Sequence, residues 1–247
     1  MRCKPPGMFD QPYKQIRVGE WRRPLSVLAM SLLVAYVPTC AAQATTQPSA
    51  VSVATTQTAV VGTETIVFLR HGEKPRHGLG QISPQGFNRA IALSSVLPAR
   101  FGKPDYLFAP DPSEKVENED GSQFYVRPLA TIEPTAIALG MPVQTPFGYT
   151  QIVKLNAELT KPKYAKAIIF VAWEHGREAE AAAKLVEQFG GKKSDVPPWA
   201  GGDFDSLYVV KITRLPGKAP TATFLHDHEG LDQESTRMPL PAARDEK

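Results

Sequence analysis

The chain has 247 residues, of which 42% are hydrophobic, and a formal charge of +3. That length allows one sizeable domain with its own core, or at most two small domains. Residues 1–44 hold six of the 28 Lys and Arg residues and two of the 25 acidic residues, so the rest of the chain carries a formal charge of −1. The basic charge therefore belongs to the N-terminal segment, and we expect no nucleic-acid partner.

The first 44 residues have the order of a secretory signal peptide. Arg22 and Arg23 precede the apolar run 25–37, and small residues ending at Ala44 follow it. That run is shorter than the roughly 17–25 residues that span a bilayer. We therefore expect cleavage after Ala44 and export to the periplasm or secretion. The stretch before the apolar run is long and contains proline, so translation is expected to start at Met1, Met8 or a later position.

Cys40 offers an alternative to an ordinary leader. It ends a segment that loosely resembles the lipidation box of bacterial lipoproteins, although Thr39 is larger than the Gly, Ala or Ser that such boxes favour. A lipid anchor at Cys40 is the only membrane contact that we expect. An ordinary leader would instead remove Cys3 and Cys40 together and leave a mature chain without disulfides.

The chain after the leader divides into three segments. Residues 45–63 are rich in Thr, Ser, Gln and Ala and predict a flexible linker. Residues 64–231 alternate between strand-like and helix-like blocks, which predicts one α/β domain. Residues 232–247 are polar, and we expect a loose C-terminal tail.

The first half of the domain predicts two strands and two helices. The strands fall at residues 65–69 and 106–109. Ser83 caps a helix whose apolar residues recur at three- and four-residue spacing. Arg127 opens the second helical pattern, which Pro134 either kinks or restarts.

The second half predicts a central strand, a helix and an antiparallel pair. Residues 167–173 are wholly apolar, as in a strand buried on both faces. A helix follows Gly176, and residues 207–212 and 221–225 form the pair at the sheet edge. The predicted fold is three-layer α/β/α with a mostly parallel sheet and an antiparallel edge.

Two histidines follow predicted parallel strands. His71 comes after the first strand and His175 after the central strand, and each is followed by glycine. Because the carboxyl ends of parallel strands meet at one edge of a sheet, we expect the two rings to face each other. We also expect Gly72 and Gly176 to let the backbone turn tightly beside a ligand.

Arg70 and Arg127 add two permanent charges to this edge. Their planar forks suit the oxygens of a phosphoryl group, while a neutral imidazole suits attack on phosphorus. We therefore predict a phosphohistidine on His71, with Arg70, Arg127 and His175 binding the phosphate.

These residues resemble the histidine phosphatase superfamily, in its phosphoglycerate mutase-like branch. The resemblance covers roughly residues 64–225 and implies a phosphoglycerate mutase-like fold, with His71 as nucleophile and with Arg70, Arg127 and His175 as the phosphate pocket. The motifs that carry it are Arg70-His71-Gly72, Ser83-Pro84-Gln85-Gly86 with Arg89-Ala90, Arg127-Pro128-Leu129-Ala130-Thr131 and His175-Gly176.

The chain departs from that branch in its proton donor. The branch usually carries a glutamate after the second arginine, but residues 141–157 contain no Asp or Glu. Glu174 is our preferred donor, with Glu73, Glu133 and the acidic stretch 111–120 as rivals. A site without an acid would favour phosphoramidates or acyl phosphates, whose leaving groups need no proton. The acidic stretch is also a candidate lid or specificity element.

Two further groups of polar residues have plainer interpretations. The His-Asp-His-Glu sequence at residues 226–229 is interpreted as a solvated loop rather than a metal site. Arg177, Glu178, Glu180 and Lys184 are interpreted as a solvated helix face.

The sequence as a whole predicts an exported phosphatase that hydrolyses phosphomonoesters or related phosphoryl compounds through His71. It acts on a small phosphorylated substrate, and we expect no metal and no organic cofactor. The alternatives are a phosphoglycerate mutase-type phosphotransferase and a non-catalytic module that binds a phosphorylated ligand.

Overall fold

The computed structural model describes residues 61–239. The predicted leader, the possible lipidation at Cys40 and all but the last three residues of the predicted linker lie outside these residues. Gly62 and Thr63, which we assigned to the linker, are the first two residues of a strand. No helix within residues 61–239 combines the length and the apolar character that a membrane crossing needs.

A six-stranded mixed sheet forms the centre of the domain. Its strands lie in the order β5-β2-β6-β1-β7-β8, and the first four are parallel while β7 and β8 are antiparallel to their neighbours. The six strands are β1 (Gly62–Arg70), β2 (Tyr106–Phe108), β5 (Val143–Gln144), β6 (Ile168–Trp173), β7 (Ser206–Arg214) and β8 (Thr221–His228).

Four helices cover the two faces of this sheet. One face carries α1 (Pro84–Phe101) and α2 (Arg127–Leu139), and the other carries α3 (Ile152–Leu159) and α4 (His175–Gln188). Short 3₁₀ turns lie at Pro162–Tyr164 and Lys193–Asp195. The predicted three-layer α/β/α architecture with an antiparallel edge is therefore confirmed.

Parallel pairing of β1 with β6 places the two histidines at one edge. Arg70 is in register with Trp173, and the His71 amide donates a hydrogen bond to the Trp173 carbonyl (3.0 Å). β6 is buried along most of its length, as its uninterrupted apolar sequence indicates. The position expected for His71 and His175 is confirmed at the backbone level.

Both helices that carry site residues begin at those residues. α2 begins at Arg127 with Pro128 in its first turn and continues through Pro134, so it does not restart there. The prediction that the last helix follows Gly176 is wrong, because α4 begins at His175. The Glu174 side chain accepts a hydrogen bond from the Arg177 amide and so caps the helix before the histidine.

The acidic stretch forms a hairpin rather than an irregular loop. Its strands, β3 (Lys115–Asn118) and β4 (Gly121–Phe124), pair antiparallel in a separate two-stranded sheet. The hairpin packs on the segment after β1, because a Cβ at Gly78 would lie 2.3 Å from the Asn118 side chain. Gly78 has a φ of +82, a conformation that glycine adopts without strain.

Gly72 has a different purpose from the one that we expected. Its φ is not positive, and a Cβ there would lie 2.8 Å from the Cα and the carbonyl oxygen of Gly86. Gly72 therefore lets α1 approach the segment that follows His71. At Gly176 a Cβ would meet nothing closer than 3.3 Å, and its φ is not positive either.

Arg89 joins the segment after His71 to α1 and to the end of β8. Its side chain is fully buried and donates to Glu73 (2.8 Å) and Glu229 (2.6 Å), with Asp205 and Asp232 within 3.6 Å. Interpreting residues 226–229 as a solvated loop is therefore wrong, because β8 runs to His228 and Glu229 is buried. Burial raises the pKa of Glu229 to about 8, although Arg89 lowers it.

The described part of the predicted tail, residues 232–239, is tied to α1 by two hydrogen bonds from Asn88. Asn88 donates from its side-chain amide to the carbonyls of Ser235 (2.6 Å) and Arg237 (2.7 Å). Residues 240–247 lie outside the described part of the chain. The predicted domain boundaries stay a prediction.

We predict that Arg89→Met lowers the free energy of unfolding by about 3–5 kcal/mol, because it leaves Glu73 and the buried Glu229 without the group that donates to them. Arg100→Met is a matched control on the same helix. The Arg100 ion pair with Asp227 is about one-third exposed on both sides, so its loss should cost less than about 1 kcal/mol. Urea unfolding followed by tryptophan fluorescence measures both values, and equal losses would contradict the assignment.

Candidate active site

His71 is held as a neutral imidazole at the carboxyl edge of the sheet. Its side chain is buried, and Nδ1 lies 2.8 Å from the Gly72 carbonyl. A carbonyl can only accept, so Nδ1 carries the proton and Nε2 keeps its lone pair. Burial, with smaller contributions from Arg127 and Arg70, lowers the pKa of His71 to about 3, against the hydrogen bond to Gly72.

Thr131 holds the backbone beside His71. The Gly72 amide donates to Thr131 Oγ1 (2.8 Å), and that hydroxyl donates to the Arg127 carbonyl (2.9 Å). Thr131 is fully buried one turn into α2. One hydroxyl therefore links the nucleophile segment to the helix that carries the second arginine.

Arg70 is buried and uses one of its nitrogens to bind a loop. Nη1 donates to the carbonyls of Gly201 (2.8 Å) and Asp203 (2.6 Å), and the guanidinium lies 3.8 Å from the centre of the Phe204 ring. Burial lowers the pKa of Arg70, while Glu178 and Glu174 raise it. Sequence reasoning missed the 200–204 loop, which has no motif and reaches Arg70 only through the fold.

Arg127 is bound in the same manner by a second element. Its Nη1 donates to Asn118 Oδ1 (3.1 Å) on the hairpin and to the Gly78 carbonyl (3.4 Å), and its guanidinium lies 4.8 Å from the centre of the Tyr125 ring. The hairpin that we predicted as a lid or specificity element thus holds the second arginine.

Both arginines keep the same edge free. No residue within 61–239 accepts a hydrogen bond from Nε or Nη2 of Arg70 or of Arg127, and both Nε atoms are buried. These two nitrogens of a guanidinium form a parallel fork that matches two oxygens of a phosphoryl group. Two such forks beside a neutral imidazole make a site for a tetrahedral anion.

His175 completes the group of predicted residues. It is half-buried at the start of α4, and Glu174 Oε1 lies 2.6 Å from its Nδ1. Burial lowers the pKa of His175 and Arg70 lowers it further, whereas Glu174 raises it. His175 also lowers the pKa of His71, which places the two rings in one electrostatic environment.

The candidate proton donors differ in what they contact. Glu174 uses one oxygen for the Arg177 amide and the other for His175. Glu73 is bound to Arg89 through both oxygens, and exposed Glu133 lines a separate apolar cavity of about 420 Å³ between α1 and α2. Glu117 and Glu119 of the hairpin line a cavity of about 270 Å³ that Arg127 also lines.

Glu178 was assigned to a solvated helix face, and that assignment is wrong. It is 1% exposed, and neither oxygen has a hydrogen-bond partner within residues 61–239. Burial raises the pKa of Glu178 well above its usual value, and Glu174 raises it further, whereas Arg70 lowers it. Burial therefore favours the protonated form of Glu178, close to Arg70.

The candidate space for a substrate is a cavity that adjoins Arg70. A cavity of about 550 Å³ is lined by Arg70, Lys74, Gln85, Gly201 and Phe204 among others, with both polar and apolar atoms. Within residues 61–239, no three His, Cys, Asp or Glu side chains are grouped so that they could hold a metal ion.

No protein-family model and no curated protein matches the sequence. Several solved structures are similar to the structure of this chain. A putative phosphohistidine phosphatase SixA from Nakamurella multipartitia is 15% identical, with a TM-score of 0.43 over 68% of this chain and 96% of that one. A mycobacterial glucosyl-3-phosphoglycerate phosphatase in complex with inorganic phosphate is 17% identical, with a TM-score of 0.43 over 66% and 95%. A phosphoglycerate mutase from Plasmodium falciparum is 11% identical, with a TM-score of 0.44 over 73% and 95%. Overlap at this level does not establish a shared activity, so function has to be inferred from the site.

We predict that His71 makes the folded state less stable in acid. Its pKa is about 3 when folded and about 6.5 when unfolded, so the unfolded chain binds the extra proton as the pH falls from 6.5 towards 3. The free energy of unfolding should fall more steeply in the native protein than in His71→Asn, by up to about 1.4 kcal/mol per pH unit. Urea unfolding between pH 6.5 and 4 tests this, and equal slopes would contradict it.

Proposed function

We propose that the chain is a phosphatase of the histidine phosphatase superfamily, which hydrolyses phosphomonoesters through a phosphohistidine on His71. The observation that carries this proposal is the neutral His71 ring between two buried arginines whose Nε and Nη2 edges are free. Phosphoryl transfer needs a nucleophile with a lone pair and cationic donors for the equatorial oxygens, and the site supplies both.

In the first step the lone pair of His71 Nε2 attacks phosphorus and forms an N–P bond. The P–O bond to the leaving group breaks, its electron pair goes to the leaving oxygen, and that oxygen takes a proton. Water then attacks phosphorus, the N–P bond breaks, and its electron pair returns to Nε2. The water gives up one proton and becomes part of inorganic phosphate.

Glu174, the predicted proton donor, acts through His175 in this proposal. Both Glu174 oxygens are already engaged, but its carboxylate raises the pKa of His175. A phosphate dianion in the site has the same effect, because it too stabilises the charged ring. His175 would then give a proton to the leaving oxygen and take one from the attacking water.

A phosphotransferase of the phosphoglycerate mutase type would use the same first step, with a second substrate in place of water. A binding module would keep the anion site without turnover. A hydrolase is favoured because no acidic residue occurs at positions 141–157, where the mutase branch carries its glutamate.

We predict that the mature protein, residues 45–247, releases phosphate from an aryl phosphate and that His71→Ala abolishes the release. His228→Asn is the matched control, since its side chain is 62% exposed at the end of β8. Phosphate release assayed from pH 4 to 8 is the measurement. Binding of phosphate without turnover across that range would favour the binding module.

Trapping the intermediate tests whether turnover passes through a phosphohistidine on His71. Brief exposure to substrate followed by mass spectrometry should find a phosphoryl group on His71 in the native protein and none in His71→Ala. Turnover with phosphate on another residue would contradict the mechanism.

The same proposal includes export of the enzyme. In a bacterial host, we expect the full chain to yield an extracytoplasmic product that begins at Thr45, with or without Cys40→Ala. A lipoprotein would instead begin at Cys40, and Cys40→Ala would block its processing. N-terminal sequencing of cell fractions decides between them, and unprocessed chain in the cytoplasm would contradict export.

A further inference from the structure

Tyr125 lies beside the nucleophile without any role in the mechanism described so far. It sits between β4 and α2, is 1% exposed, and its amide donates to the Glu114 carbonyl (2.8 Å). Its ring meets the His71 ring edge-on, with centroids 6.1 Å apart and planes at 90°. A Tyr149 ring packs against its other side, with centroids 5.1 Å apart.

The Tyr125 hydroxyl is buried and has no partner at hydrogen-bond geometry within residues 61–239, although Arg127 lies close enough to lower the pKa of Tyr125 as a donor to its oxygen. A guanidinium can only donate, so the phenol proton has no acceptor. Buried hydroxyls are nearly always paired, so an unpaired one in a native site calls for an absent partner. The Nε atoms of Arg70 and Arg127 are buried and unpaired in the same site. Three donors on three different elements therefore lack an acceptor together.

Charged groups of the site affect the pKa of Tyr125. Burial raises the pKa of Tyr125 above its usual value, Arg127 lowers it, and Glu174 and Glu178 raise it. Tyr125 in turn affects the pKa of Arg70. Tyr125 therefore shares the charged surroundings of both arginines, with the Arg127 guanidinium 4.8 Å from the centre of its ring, and its hydroxyl keeps its proton at any pH at which the enzyme would work.

We propose that Tyr125 is a further catalytic residue, whose hydroxyl donates a hydrogen bond to a phosphoryl oxygen during transfer to and from His71. This inference rests on the proposed function. Each arginine fork can bind two oxygens, and the neutral phenol adds a donor without adding a third cation to the buried site. No proton is transferred, so Tyr125 is unchanged at the end of the cycle.

The position of Tyr125 in the chain supports this role. It precedes Arg127 by two residues, and the Arg127 guanidinium lies over its ring. The ring is thus held between His71, Tyr149 and Arg127, and the hydroxyl is preorganised. A preorganised donor needs no rearrangement when charge builds on the phosphoryl oxygens.

Tyr125→Phe tests the proposal because it removes the hydroxyl and keeps the ring. We expect kcat for an aryl phosphate to fall about 10²-fold to 10³-fold, the range found for loss of one preorganised donor. Inhibition by orthovanadate should weaken in parallel, with little change in KM. Since the variant loses an unpaired buried hydroxyl, its urea midpoint should stay the same or rise.

Tyr149→Phe is the matched control, since its ring packs on Tyr125 whereas the aromatic contacts of His71 within residues 61–239 are Tyr125 and Phe204. We expect this change to leave kcat within about twofold. An unchanged kcat in Tyr125→Phe overturns the proposal, while loss of activity in His71→Ala still upholds the proposed function. A fall in kcat that comes with a lower urea midpoint indicates a structural role and also overturns it.

If the native protein has no turnover, the proposed function fails, and titration with inorganic phosphate decides the role of Tyr125. Weaker phosphate binding in Tyr125→Phe than in Tyr149→Phe then supports the donor assignment. Equal binding in the two variants overturns it.

Discussion

Two guanidinium groups share one buried site with His71, and the rest of the site depends on how that charge is held. Each arginine gives Nη1 to carbonyl or amide oxygens, of Gly201 and Asp203 in one case and of Asn118 in the other. Neutral acceptors satisfy the hydrogen atoms without cancelling the charge. The site thus keeps a positive potential that a carboxylate partner would have removed. Burial is the main reason that His71 stays unprotonated, and this potential adds to it.

Glu178 shows how an acidic residue can lie near Arg70 without removing the positive charge of the site. An ionised carboxylate near Arg70 would compete with phosphate for its free edge. Complete burial on α4 raises the pKa of Glu178 and so favours its neutral form, which leaves the charge of Arg70 intact. Arg89 illustrates the contrast, since its carboxylates approach within hydrogen-bonding distance and make it a structural cation. Arg70 and Arg89 are both buried, and they serve different purposes because of their acceptors.

The framework of the site could be predicted from the sequence because it depends on local signals. Apolar runs ending at Arg70 and Trp173 predicted two parallel strands, and their adjacency follows from the fold class. The residues that were missed reach the site through distant segments. Phe204 lies on a loop without a pattern, and Asn118 belongs to a hairpin whose polar strands do not show the apolar alternation of a half-buried sheet. Glu178 was assigned to the surface because carboxylates seldom lie in cores, and only the packing of α4 shows otherwise.

The hairpin has a consequence for substrate choice. Its residues Glu117 and Glu119 line a cavity of about 270 Å³ together with Arg127. Lys74 lines both this cavity and the larger one beside Arg70. The acidic side chains repel the negative part of a substrate, whereas Lys74 attracts it. A phosphorylated molecule would therefore place its phosphoryl group between the arginines and its remainder in the larger cavity, whose lining is both polar and apolar. Asn118 of this hairpin also accepts a hydrogen bond from Arg127. A change in the sequence of the hairpin would therefore alter specificity and catalysis together.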